Sequence, residues 1–172
     1  CQAMADVLTI SESCGRLEGI KVAFIGDGNN VARSLAFACA KLGMDMVIAS
    51  PAGYALDEAS VEKVNAIRGG CLKETASPEE AVADADVVYT DTWVSMGQEE
   101  ETNKRLKDFE GFQLNTELME KASADAKIMH CLPAHRGHEI TDEAAESPNS
   151  IIFDQAENRL HFQRALLRRL LG

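Results

Sequence analysis

Ile20-Lys21-Val22-Ala23-Phe24-Ile25-Gly26-Asp27-Gly28-Asn29-Asn30 is the stretch that sets the architecture. Its first six residues form a nearly unbroken apolar run, as expected of a strand buried on both faces of a parallel sheet. The glycines that follow allow a tight turn. Residues 31–42 then have helical periodicity up to Gly43, a helix stop. Strand, glycine turn and helix make the repeating unit of an α/β fold, and the unit recurs down the chain. Residues 46–49, halted at Pro51, and residues 71–75, 87–90 and 127–130 read as further strands. Helices are expected at 56–68 and after the starts Ser77-Pro78-Glu79-Glu80, Asn115-Thr116-Glu117 and Thr141-Asp142-Glu143. The spacing of Met4, Val7, Leu8 and Ile10 predicts a first helix over 2–11. Residues 151–153 read as a brief extended piece and 155–171 as a last helix. The expected fold is α/β: an open parallel sheet of about five strands with helices on both faces, Rossmann-like and three-layered.

Composition narrows the chemistry. The 172 residues carry 17 basic and 28 acidic side chains, a formal charge of −11, which disfavours nucleic acid as a partner. No stretch approaches the ~18 apolar residues of a membrane span, so no membrane partner is expected. No charged-then-apolar leader opens the chain, and Cys1 in place of Met leads to the expectation that the natural N-terminus lies upstream. The five cysteines (Cys1, Cys14, Cys39, Cys71, Cys131) are odd in number and form no C-x-x-C pair. Neither a disulfide framework nor a thiolate zinc site is indicated, and reduced thiols in the cytoplasm are expected.

In such a fold chemistry collects at the C-terminal ends of strands. Three strand ends here carry unusual loops, expected to converge on one edge. The first, Gly26-x-Gly28, is a weak dinucleotide signature. Val31-Ala32 stands where the third glycine belongs, and the second strand ends Ala49-Ser50-Pro51, without an acid for a ribose. No nicotinamide cofactor is therefore expected. The turn is either structural or uses Asn29 and Asn30 to receive a small substrate's charged ends. The second loop runs from Asp91 to Glu101. Asp91 directly follows a strand, where a carboxylate can hold an ammonium, and Ser95-Met96-Gly97 can close over a ligand. Glu99, Glu100 and Glu101 suit a helix start. Trp93 is expected to be at least partly buried. The third loop, His130 to Glu139, holds three of the four histidines and Cys131. Zinc held by Cys131, His135 and His138 is one alternative, weakened by Pro133 and Gly137, which break a helical ligand spacing. A thiol of lowered pKa, with His130 or His135 as its base, is another. An ordinary strand-end loop is the third.

The three loops in this order resemble the ornithine branch of the aspartate/ornithine carbamoyltransferase family. The resemblance is carried by Phe24-Ile25-Gly26-Asp27-Gly28-Asn29-Asn30, Asp91-Thr92-Trp93-Val94-Ser95-Met96-Gly97 and His130-Cys131-Leu132-Pro133, with Ala156-Glu157-Asn158-Arg159 and Cys1-Gln2-Ala3 in support. It covers essentially the whole chain. It implies an ornithine carbamoyltransferase: transfer of a carbamoyl group from carbamoyl phosphate to the δ-amine of L-ornithine, giving citrulline and phosphate, with no metal or cofactor. It also implies that Asn30, Asp91, Ser95 and Met96 bind ornithine, Asp91 through the δ-amino group. Cys131 and Asp91 are the implied catalytic residues. Gln2, Arg159 and the backbone of Cys131 and Leu132 are implied to hold carbamoyl phosphate. The implied organisation is a helix at 1–15 leaving a carbamoyl-phosphate domain, an ornithine-binding domain over 16–154, and a helix over 155–172 returning to that other domain. The family's Ser-x-Arg-Thr phosphate loop is absent, so the chain is expected to be inactive alone and to act within a homotrimer when complete. Part of the last helix's apolar face is expected to lie uncovered. A non-catalytic amino-acid-binding paralogue or sensor of the same fold is the alternative.

Overall fold

The computed structural model describes residues 1–95, 97 and 99–172. Helix α1 (Gln2–Cys14) ends at Gly15, whose φ of 70° gives the left-handed cap. It leads to β1 (Lys21–Ile25), α2 (Asn30–Leu42), β2 (Asp45–Ala49), α3 (Glu58–Ile67), β3 (Leu72–Thr75), α4 (Pro78–Val82) and β4 (Val87–Thr90). A 3-10 turn, Glu99–Glu101, then opens α5 (Thr102–Asp108), so the glutamates do stand at a helix start. α6 (Thr116–Met119), β5 (Lys127–His130), α7 (Asp142–Ala145) and α8 (Ile152–Leu171) complete the chain.

The five strands form one parallel sheet in the order β3-β2-β1-β4-β5. Alternate side chains feed two cores, which is why the strands read as continuous apolar runs. Val22, Phe24, Met46 and Tyr89 pack on one side with Val7 and Ile10 of α1 and Leu35 of α2. Ala23, Ile25, Val88 and Ile128 pack on the other with Val82 of α4, Leu118 of α6 and Ala144 of α7. The expected three layers are present.

The order in which strands are added reverses between β1 and β4, the switch point outside whose strand C-termini folds of this class bind ligands. Ile25 is in register with Thr90, and Thr90 with His130. The three loops singled out in the sequence therefore leave adjacent strands at one level.

One element differs from its expectation. Residues 151–153 are not extended: α8 already begins at Ile152. Ser150, just before it, bridges Ile128. The apolar pair is explained by burial, since Ile151 joins one core and Ile152 the other. Trp93 is buried and stacks on Phe109, ring centroids 5.5 Å apart.

Candidate active site

Asp91, the first residue beyond β4, is 6% exposed and accepts three donors. Asn29 Nδ2 donates to Oδ2 at 2.8 Å, while the Thr92 amide (2.8 Å) and the Cys131 thiol (2.9 Å) donate to Oδ1. One side chain from each loop thus meets here. Asn29 is fixed from its other end, since it is the N-cap of α2 and its Oδ1 accepts from the Val31 and Ala32 amides. Asn30, the residue expected to bind, is exposed at the first turn of α2. Its neighbour is the asparagine bonded to Asp91. Ser95 is half-buried in the loop after β4, and Met96 lies outside the described residues.

Gly28 has a specific reason to be glycine. A Cβ there would stand 2.4 Å from the Leu56 nitrogen and 2.5 Å from the Ala55 carbonyl carbon. The turn therefore serves a close approach of the chain's own segment around Tyr54, whose carbonyl accepts the Gly28 amide at 2.7 Å.

Cys131 does not have the lowered pKa considered from the sequence. Burial pushes the thiol far above its ordinary value, and the neighbouring Asp91 carboxylate adds to this. It stands as a protonated thiol that donates to Asp91, not as a thiolate nucleophile. The alternative zinc trio does not assemble around it either. His135 and His138 stack on each other, 6.0 Å between centroids, in exposed positions. The groups that gather with Cys131 are Asp91 and His130, ligand atoms within 4.8 Å of one another. Each is already engaged in hydrogen bonds of its own.

His130 is structural in its bonding. Its Nδ1 accepts the Leu132 amide at 2.8 Å, which leaves Nε2 to carry the ring proton toward Glu139 Oε1, 3.2 Å away. Glu139 is buried and also takes the His135 amide at 2.5 Å. Burial raises its pKa, but the bonds from His130 and His135 outweigh that, and the carboxyl lies below its ordinary value. The loop so braced carries Leu132 at φ 53°, before a cis bond to Pro133. A non-glycine residue in that region costs about 1 kcal/mol or more and persists where surrounding bonds impose it.

Gln2 and Arg159 meet directly: Arg159 Nη1 donates to Gln2 Oε1 at 3.1 Å. The expected carbamoyl-phosphate pair is thus brought together across α1 and α8. Sequence reading missed the groups beneath. Asp6, Tyr89 and Gln155 form a buried cluster, with Gln155 Oε1 accepting the His130 amide at 2.9 Å. It also missed Arg105, 6% exposed, which bonds Asp27 Oδ2 at 2.7 Å and the Trp93 carbonyl at 3.0 Å. Arg105 ties the loop after β4 to the turn after β1. The available signal for Asp6 was a charge among the apolar residues of α1.

Residues 18–170 match the family profile described as aspartate/ornithine carbamoyltransferase, Asp/Orn binding domain. The chain is 53% identical, over its whole length, to the ornithine carbamoyltransferase of Pyrococcus abyssi, covering 55% of that protein. It is likewise 53% identical to that of Methanosarcina mazei, over 99% of this chain and 56% of the relative. The solved ornithine carbamoyltransferase of Pyrococcus furiosus superposes with a TM-score of 0.91 at 52% identity, over 97% of this chain and 54% of that one. That of Giardia lamblia reaches 0.88 at 32% identity, over 96% and 57%. The chain spans about half the length of the relatives it matches. By fold and by sequence, it belongs to the aspartate/ornithine carbamoyltransferase family, in its Asp/Orn-binding domain.

Proposed function

We propose that this chain is the ornithine-side half of an ornithine carbamoyltransferase. The observation that carries the proposal is the convergence of Asn29, Cys131 and the Thr92 amide on a single buried carboxylate, Asp91. A carboxylate so placed, at the switch point of the sheet, suits an alkylammonium. The names of the relatives support ornithine as its source.

The δ-nitrogen must lose a proton before it can attack. An ammonium entering beside Asp91 displaces the thiol as donor, and its positive charge favours the Cys131 thiolate, reversing the effect of Asp91 alone. As the thiolate forms, the thiol's own proton passes to solvent; Cys131 then receives one proton from the δ-ammonium and stays uncoupled from carbon. The freed amine attacks the carbamoyl carbon, the carbon–oxygen bond to phosphate breaks, and inorganic phosphate leaves with that electron pair and takes up the second proton released by the attacking nitrogen. Arg159 is suited to donate to the carbamoyl oxygen as charge grows there. Asn30, Ser95 and Met96 are assigned to the α-amino acid end of ornithine. The carbonyls of Cys131 and Leu132, with Gln2, are assigned to the carbamoyl amide. The phosphate is held by groups outside these residues. A trimer of complete chains in the cytoplasm completes the proposal; no helix among the described residues is long and apolar enough to cross a membrane.

The test is citrulline formation from ornithine and carbamoyl phosphate by the intact protein and by this chain alone. Turnover by the intact protein and none by the 172-residue chain is expected. Turnover by the isolated chain, or none by the intact protein, contradicts the reading.

A further inference from the structure

Asp6 of α1 is fully buried, at 0% exposure. Among the described residues, its carboxylate bonds no cationic side chain. Its donors are neutral: Gln2 Nε2 at 2.7 Å and Gln155 Nε2 at 2.8 Å, both to Oδ1, and the Tyr89 hydroxyl at 3.3 Å to Oδ2. Gln155 Nε2 also donates to the Tyr89 oxygen at 3.0 Å, which turns the Tyr89 proton toward Asp6.

An amide side chain has a donor end and an acceptor end, whereas a carboxylate only accepts. An ionised Asp6 therefore compels both glutamines to face it with their NH2 groups. Gln2 Oε1 is left pointing to Arg159, and Gln155 Oε1 to the His130 amide. Protonation of Asp6 would place a donor against these donors and remove the compulsion.

We propose that Asp6 is a positioning residue: it fixes the orientation of two amides, so that Gln2 presents a carbonyl oxygen beside Arg159 and Gln155 anchors the backbone entering the His130-Cys131-Leu132-Pro133 loop. This rests on the carbamoyl-transfer reading. Under it, Gln2 Oε1 accepts from the carbamoyl NH2 while Arg159 donates to the carbamoyl oxygen, and a reversed Gln2 would repel the amide.

The titratable groups around Asp6 are Tyr89 and Asp91 from the β4 end, Cys131 after β5 and Cys39 of α2, with Gln2 and Gln155 as neutral partners. Burial pushes the Asp6 carboxyl up to about 6, opposed by the bonds from Gln2, Gln155 and Tyr89 and assisted by the Asp91 charge. Asp6 is thus ionised at neutral pH and protonated in mild acid.

The experiment is steady-state citrulline formation by the intact protein across pH, with each substrate varied in turn. Wild-type kcat/KM for carbamoyl phosphate is expected to fall as pH drops through about 6. Asp6→Asn, which cannot accept all three donors, is expected to lower that kcat/KM at neutral pH by about tenfold or more, the effect of one misdirected hydrogen bond. The ornithine KM should stay within about twofold, and the acid limb due to Asp6 should vanish. Tyr89→Phe removes a donor to the charged form with little change in packing, so the acid limb should move to higher pH. Tyr89→Phe decides the matter if Asp6→Asn does not fold. An unaltered carbamoyl-phosphate kcat/KM in Asp6→Asn, or an unmoved limb in Tyr89→Phe, overturns the role of Asp6. A wild-type protein that makes no citrulline at any pH overturns the carbamoyl-transfer reading, and this role with it.

Discussion

The Asp91 end of the site and the Gln2 end are finished differently. At Asp91 each group has its partner within the chain: three donors meet one buried carboxylate, and each donor is fixed in turn by a helix cap, a backbone or a braced loop. At Gln2 the Arg159 guanidinium is exposed, and α8 runs on past it with Leu160, Leu167, Leu170 and Leu171 at 57, 55, 70 and 82% exposure. The same helix buries Gln155 and Asn158 in its first two turns. Uncovered leucines beside an exposed polar pair make an apolar surface of the kind on which contacts form. The contrast is between a wall complete within the chain and a margin left open by it.

The contrast can be broken by mutation. The largest effect expected is at Arg105, whose ion pair with Asp27 joins side chains only 7% and 15% exposed. Arg105→Ala strands that carboxylate and should cost roughly 3–5 kcal/mol in chemical denaturation of this chain. A loss under about 1 kcal/mol, the surface-pair range, would show that the loops are not held this way. Asp91→Asn comes next. Removing the charge opposite an ammonium is worth roughly 2–5 kcal/mol, so in the intact protein the ornithine KM should rise at least about thirtyfold, with the carbamoyl-phosphate KM nearly unchanged. Equal rises in both would dissolve the division into two ends. The smallest effect in the isolated chain belongs to Leu170→Ser, expected within about 0.5 kcal/mol of wild type because the side chain is already in water. In the intact protein the same change should cost about 1.5–3 kcal/mol if that leucine is covered there. Equal sensitivity in the two contexts would mean that nothing covers it.

The sequence made legible what depends on local pattern. The apolar runs around Val22, Met46, Val88 and Ile128 declare strands because both faces of each are buried, and the loops after Ile25, Thr90 and His130 stood out by their composition. What stayed hidden depends on distant pairing. Tyr89 and Asp6 lie 83 positions apart, and Gln155 and Asp6 lie 149 apart. No spacing rule marks a glutamine within α8 as the anchor of a β5 loop. The state of Cys131 was hidden for the same reason. Nearby histidines suggested an activated thiol, but His130 is engaged by Glu139 and Leu132, and the group that touches the sulfur is a carboxylate 40 positions away. The triplet 151–153 misled because buried isoleucines suit a strand and a helix start equally well.

The measurement that bears most directly on the proposed chemistry is the rate of citrulline formation by the intact protein carrying Cys131→Ala, at saturating ornithine and carbamoyl phosphate. The Cys131 thiolate, formed when the ammonium binds, is proposed to take the proton from the δ-ammonium, a role worth about 100-fold or more. The kcat is therefore expected to fall by at least that factor while the fold is retained. A Cys131→Ala protein that turns over at the wild-type rate would contradict that role.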